Sequence, residues 1–207
     1  MDIHERGIMN KIAVKNYPMV NPTPVVIIGA MVNGKANYTT IGAFGVACME
    51  PVFYISLKST HHSTAGIKES GYFSINLPSA DMVQKTDYAG MVSGKNTDKS
   101  ALFTAVYEKQ GKVPMIEEAP MNYICKVIQT TSIHGFDVFF GEIISTYVKE
   151  ECLTEGAIDP LKVNPLLLMG FQYYNFKQPV GGVFKEGLAL KRELDVQDIT
   201  ANPHLEI

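Results

Sequence analysis

Residues 37–76 read NYTTIGAFGVACMEPVFYISLKSTHHSTAGIKESGYFSIN, and the fold follows from their order. A hydroxyl-rich run, Asn37–Thr40, leads into a stretch punctuated by Gly42 and Gly45, and Glu50-Pro51 then breaks the chain. Val52–Leu57 alternates well enough to be a strand. Thr60–Ser70 reads as a short helix, with Thr60 as N-cap and Gly71 just past its end, where a left-handed backbone is favoured. Tyr72–Leu77 is a second strand. This order places a Ser/Thr cluster at a helix start beside a sheet, where unpaired N–H groups make a ready anion site.

Outward from this stretch, Val25–Val32 is a β-branched strand, and Asn33-Gly34 is a strong turn signal because both residues tolerate positive φ. Lys35–Ala47 should return as its antiparallel partner. Downstream, Pro78-Ser79 starts a second helix running towards Met91, followed by a polar loop, Ser93–Ser100. Asn122–Thr130 and Phe136–Val148 are strands joined around His134-Gly135, with Gly141 a candidate bulge. Leu166–Phe176 follows, then Gly181-Gly182 and a polar tail. Strands dominate and hairpin connections recur, which predicts a mostly β protein, an antiparallel barrel with peripheral helices.

Bulk properties narrow the function classes. The 207 residues suit one sizeable domain, and 46% hydrophobic with 19% charged residues is ordinary for a globular protein. A net charge of −3 gives no basic footprint, so no nucleic-acid partner is expected. Cys48, Cys125 and Cys152 form no CxxC pair, which argues against a zinc knuckle or a disulfide framework. No run approaches the roughly 18 apolar residues of a membrane span, and residues 1–16 read as a leader rather than a signal sequence. A soluble, cytoplasmic protein is the expectation. His61 and His62 are adjacent, without the i, i+4 spacing of two ligands on one helix face, so no metal site is expected. Residues 90–96, GMVSGKN, have glycines too close together for a Walker loop, and Asn96 stands where its Ser/Thr would be. No GxGxxG follows a strand and no nucleophile elbow is present.

Two constellations remain. Ser63 and Thr64 at the helix start could add hydroxyl donors to backbone N–H groups for a phosphate, with His61 and His62 as a further donor or partial charge; ordinary capping by Thr60 fits the same residues. In the run Asn37-Tyr38-Thr39-Thr40 with Ala43-Phe44 after it, Asn37, Thr39 and Thr40 could line the polar edge of a flat ring, with Phe44 as an apolar wall; a Gly-rich hairpin strand without a ligand fits equally.

The succession of NYTTIGAFGVACMEPVFYISLK, HHSTAGIKESGYFSINLP, SGKNTDKSALF, APMNYICKVIQT and FDVFFGEI resembles the flavin reductase family, and within it the flavoredoxins. The resemblance covers roughly residues 17–191, leaving 192–207 as a tail. It implies an FMN-binding split barrel of Greek-key type and a homodimer binding FMN non-covalently near the subunit interface. It places Asn37–Thr40 and Ala43-Phe44 along the isoalloxazine ring, Ser63 and Thr64 on the phosphate, and Lys99 close to the flavin. It adds His134 and Phe171 as residues completing the pocket. His61 stands where relatives often carry Arg, and Phe44 lies near where many carry Trp.

The implied function is an FMN-dependent oxidoreductase passing hydride or electrons between NAD(P)H and an acceptor. No protein side chain need be the catalytic group, since the flavin carries the chemistry. The alternative is an FMN-binding electron carrier served by a redox protein partner, with little NAD(P)H activity.

Overall fold

In a computed structural model of the chain, residues 16, 18, 21–108, 113–177 and 179 are described. The leader 1–16 (Asn16 apart), the domain end expected at 191, Gly181-Gly182 and the tail 192–207 lie outside the described residues. The unit that carries the elements below ends at Phe176.

A seven-stranded, wholly antiparallel sheet dominates. In chain order its strands are β2 (Val26–Val32), β3 (Lys35–Ile41), β4 (Phe44–Val46), β5 (Val52–Lys58), β6 (Tyr72–Leu77), β9 (Met121–Ile133) and β10 (Phe136–Val148). Short pairs and a side sheet complete the set: β1 (Thr23–Pro24) with β13 (Leu166–Met169) and β14 (Gln172–Asn175), β7 (Ala105–Val106) with β8 (Met115–Ile116), and β11 (Leu153–Thr154) with β12 (Ala157–Ile158). The helices are α1 (His62–Ser70), α2 (Val83–Met91) and the short α3 (Pro160–Val163).

The sheet order is β3-β2-β6-β9-β10-β5-β4. Strands β5 and β6, consecutive in the chain, are thus separated by the later β9–β10 hairpin, a Greek-key arrangement spanned by α1. The two sheet edges, β3 and β4, are joined by Gly42-Ala43 alone, which lets their ends stand at most ~11 Å apart. So short a link between opposite edges forces the sheet to curl into a barrel that stays split between β3 and β4.

The expected Lys35–Ala47 return strand is therefore two strands on opposite sides of the split. Inside the barrel pack Val26, Ile28 and Ala30 of β2, Ile55 and Leu57 of β5, Phe73 and Ile75 of β6, Cys125 of β9, Phe139 of β10 and Ile67 of α1. Ile27, Ala36, Tyr38, Ala89 and Phe103 form a second cluster. Strand β2 feeds both clusters, which is why its sequence is an unbroken apolar run.

Turn chemistry follows the residues. Asn33 and Gly34 (φ 51° and 76°) close the β2–β3 hairpin, and His134 and Gly135 (φ 48° and 79°) close β9–β10. The register shifts between Phe140 and Gly141, the bulge expected there. Two expectations need correction. Helix α2 begins at Val83, after a 3-10 turn over Ala80–Met82, and not at Pro78-Ser79. Leu166–Phe176 is a hairpin rather than one run, turned at Gly170 (φ 64°).

Candidate functional site

Strand β5 hands over to α1 through a tight turn, in which the His61 N–H donates to the Lys58 carbonyl at 2.9 Å. That turn delays the helix by one residue, so His61, not Thr60, is the N-cap. Its side chain makes no capping hydrogen bond, and the first turn holds no acidic residue. The N-terminal N–H groups of α1 therefore keep their partial positive charge for another acceptor. At the far end, the Gly71 N–H (φ 73°) closes on the Ile67 carbonyl at 2.8 Å, as expected.

Strand β3 runs beside this helix start. Asn37 Nδ2 donates to Ser63 Oγ at 2.7 Å, and both residues are buried. With the amide as donor, the hydroxyl proton of Ser63 is left for a further acceptor. Asn37, Thr39, His61, His62, Ser63, the 90–94 segment and Lys99 enclose a cavity of about 160 Å³. Gly94 is required there: a Cβ would collide with Asn37 Oδ1 and approach the His62 ring at 2.9 Å.

Lys99 is the main charge in the cavity wall. It is 3% exposed, and its Nζ donates to the Ala89 and Val92 carbonyls at the end of α2, each at 3.0 Å. The ion pairs among the described residues do not include it. Burial pushes its pKa from 10.5 down to about 8. An ammonium has three protons, so one donor remains for a ligand. Burial lowers the pKa of His61 as well, with Lys58, Lys99 and Lys95 adding repulsion. His61 is thus held neutral in a cationic neighbourhood, a setting that favours a bound anion.

The cavity continues in two directions along β3. A second cavity of about 400 Å³ shares Asn37, His62, Gly94 and Lys99 with it and reaches Lys35 and Lys95. A third, of about 300 Å³, shares Gly90 and Met91 and is walled by Val25, Ile41 and Leu168 with Thr40, Asp87 and Tyr173. The trench therefore passes from an end where Lys95 stands beside the Lys35–Asp98 ion pair, through the Lys99 cavity, to an end of mixed lining in which Val25, Ile41 and Leu168 lie with Thr40, Asp87 and Tyr173. That arrangement suits a ligand with an anionic group near Lys99 and an extended body with both apolar faces and polar edges.

Of the residues singled out from sequence, Asn37, Thr39, His61, Ser63 and Lys99 come together on one cavity. Thr40 lies in the third cavity, its hydroxyl donating to the Thr86 carbonyl at 2.5 Å. Strand alternation turns Tyr38 away into the core, edge-on to Phe103 at 5.3 Å, with its hydroxyl donating to the Met115 carbonyl at 3.3 Å. The Thr64 hydroxyl is buried and donates to the Lys58 carbonyl at 2.8 Å, so it braces the turn before α1. The Ala43 carbonyl accepts from Ser56 N–H, and the Phe44 ring packs edge-on against Phe53 at 5.0 Å. His134 sits in the β9–β10 turn, and Phe171 is 87% exposed beside the Gly170 turn. Neither lines these three cavities.

Sequence reading missed Gly94, and offered His62 only as a companion donor to His61. The signal for Gly94 was the Ser93-Gly94 pair just after a helix, a place where backbone comes close to something. Among the described residues no group of three or more His, Cys, Asp or Glu side chains could hold a metal ion. No helix among them is long and apolar enough to cross a membrane.

Comparison with known proteins agrees with this architecture. The flavoredoxin of Methanosarcina acetivorans superposes with a TM-score of 0.84 at 38% identity, covering 87% of this chain and 99% of its own. The flavoredoxin of Desulfovibrio vulgaris (Miyazaki F) gives 0.80 at 30% identity, covering 86% and 99%. An FMN-binding protein from Thermus thermophilus shares the fold at 0.72 with 17% identity, covering 86% and 99%. Residues 19–177 match the flavin reductase like domain. Split barrel, Greek-key order and sequence match agree, and the chain belongs to the flavin reductase-like family.

Proposed function

We propose that the chain binds FMN non-covalently in the trench along β3 and acts as an NAD(P)H-dependent oxidoreductase. One observation carries this reading: an uncapped helix start, a hydroxyl with its proton unspent and a buried ammonium with no carboxylate ion pair among the described residues meet on one cavity. These groups fit a phosphate at the α1 N-terminus, held by backbone N–H groups, Ser63 and the neutral His61. Asn37 orients Ser63, and Thr39 faces the same cavity. Lys99, fixed by two carbonyls, neutralises negative charge on the bound cofactor. Thr64 holds the turn that aims the helix start. The third cavity, with Thr40 and Ile41, takes the ring end. Bound there, FMN would supply reversible acceptance of a hydride or of single electrons. A homodimer in the cytoplasm, with NAD(P)H as donor, completes the proposal.

Likeness to two flavoredoxins at 30% identity or more favours a second reading, an electron carrier reduced by a redox protein partner. Anaerobic stopped-flow reduction of the FMN-loaded protein separates the two. Fast bleaching by NADH or NADPH supports the reductase, and slow bleaching by both supports the carrier. Failure of the purified protein to take up FMN overturns both.

A further inference from the structure

We propose that Asp137 is a positioning residue for this site: it clamps the tip of the β9–β10 hairpin to α1 and to the turn before it, and so fixes the helix start that receives the phosphate. The inference rests on the reading of that helix start as the phosphate seat.

Asp137 belongs to β10 and is 2% exposed, although it lies on no cavity described above. Its carboxylate reaches three elements at once. Oδ2 lies 2.7 Å from Lys68 Nζ on α1. Oδ1 accepts the Ser132 hydroxyl of β9 at 2.7 Å. Lys68 and Ser132 lower the Asp137 pKa most, and the Ser59 hydroxyl, from the turn between β5 and α1, adds a smaller lowering. Beside it the Ser59 N–H donates to the Gly135 carbonyl at the hairpin tip, 2.9 Å away. Ser59 stands two residues before the N-cap His61, and Lys68 six residues after the first helical residue, about 9 Å along the axis. The clamp thus holds α1 at both sides of its N-terminal turn.

The buried carboxylate is held by the Ser132 hydroxyl on Oδ1 and, on Oδ2, by the Lys68 ion pair without an aligned hydrogen bond, so its burial depends on the Lys68 charge. Loss of Asp137 releases Lys68 and leaves Ser59 held by its N–H bond to Gly135 alone, which loosens the angle at which the helix start meets Asn37 and the cavity. Binding of a phosphate depends on several N–H groups converging on one point, so a small rotation of α1 is felt there first.

The charge of Asp137 opposes an anion, which gives the test a sign. If Asp137 acted only through its field, Asp137→Asn would tighten binding of a phosphate; if it positions α1, the same substitution weakens it. Wild type, Asp137→Asn, Lys68→Met and the double variant are titrated with FMN and with riboflavin, which lacks the phosphate, and their melting temperatures are measured. The expected result is an FMN Kd raised about tenfold in each single variant, with the riboflavin Kd within about twofold of wild type and the double variant no worse than the singles. Ser59→Ala changes no charge; should Asp137→Asn not fold, its FMN-selective loss of about threefold carries the test. Tighter FMN binding by Asp137→Asn, parallel weakening of both ligands, or additive effects in the double variant overturn the clamp. A wild-type protein that binds FMN no better than riboflavin instead overturns the phosphate seat.

Discussion

The side-chain amide of Asn37 donates to the hydroxyl oxygen of Ser63 over 2.7 Å, joining the edge strand β3 to the first turn of α1. The pair is buried, and its polarity is what leaves the Ser63 proton for a ligand. Ser63→Ala removes that donor and leaves the Asn37 amide without its acceptor. The expected outcome is an FMN Kd raised about tenfold and a stability loss of about 1–3 kcal/mol, read by fluorescence titration and urea unfolding. A variant that binds FMN as tightly as wild type would contradict the assignment.

Lys99 predicts two pH effects of opposite sense. An anion binds its charged form, so FMN affinity is level below the pKa of about 8 and falls as pH rises through it. Stability of the ligand-free protein moves the other way. The folded pKa of about 8 lies below the ordinary 10.5, so between these values the unfolded chain holds a proton that the folded chain has lost, and stability rises with pH. Cys125 opposes this above 9, because burial pushes its thiol up from 9.0 to about 12. Comparison with Lys99→Met isolates the lysine: the variant should bind FMN weakly and with no pH dependence around 8. A wild-type affinity that is flat from pH 7 to 9 would remove Lys99 from the site.

Gly94→Ala puts a methyl group against Asn37 Oδ1 and the His62 ring. Either the 92–94 segment or the Asn37 and His62 side chains must then give way, and each change alters the cavity. We expect FMN binding to weaken at least tenfold, with a stability loss of about 1–3 kcal/mol from the forced shift. Ordinary FMN affinity in a folded Gly94→Ala protein would show that the segment does not touch the ligand.

Sedimentation velocity at micromolar concentration tests the proposed homodimer. Ile128 and Ile133 of β9 and Phe136 and Ile144 of β10 are exposed on the long hairpin, more apolar surface than a solvated hairpin needs. A species of twice the 22.8 kDa chain mass is expected. A monomer would dissociate the site from any subunit interface.

Much of this was legible in the local sequence, in residues 37–76 and on either side of them. The β5–α1–β6 order, the Asn33-Gly34 turn, the bulge at Gly141 and the Gly71 cap all follow from local chemistry, because each depends on one or two residues. What sequence could not give was the side on which each residue falls. Alternation along β3 sends Asn37 and Thr39 to the cavity and Tyr38 to the core, and the run reads the same until a register is known. The N-cap slipped from Thr60 to His61 because the His61 N–H closes a turn on the Lys58 carbonyl at the strand end, a turn that the Thr64 hydroxyl braces. Phe44 faces Phe53 because β4 pairs with β5 and not with β3 on the other side of the split, a choice that composition does not encode.

The central claim is that a phosphate-bearing flavin seats on the α1 N-terminus beside Asn37, Ser63 and Lys99. Its most direct test is a fluorescence titration of flavin-free protein with FMN and with riboflavin under identical conditions. The account predicts saturable binding of one FMN per chain, at least about tenfold tighter than riboflavin. Equal affinity for the two flavins, or no binding of FMN at micromolar concentration, would contradict it.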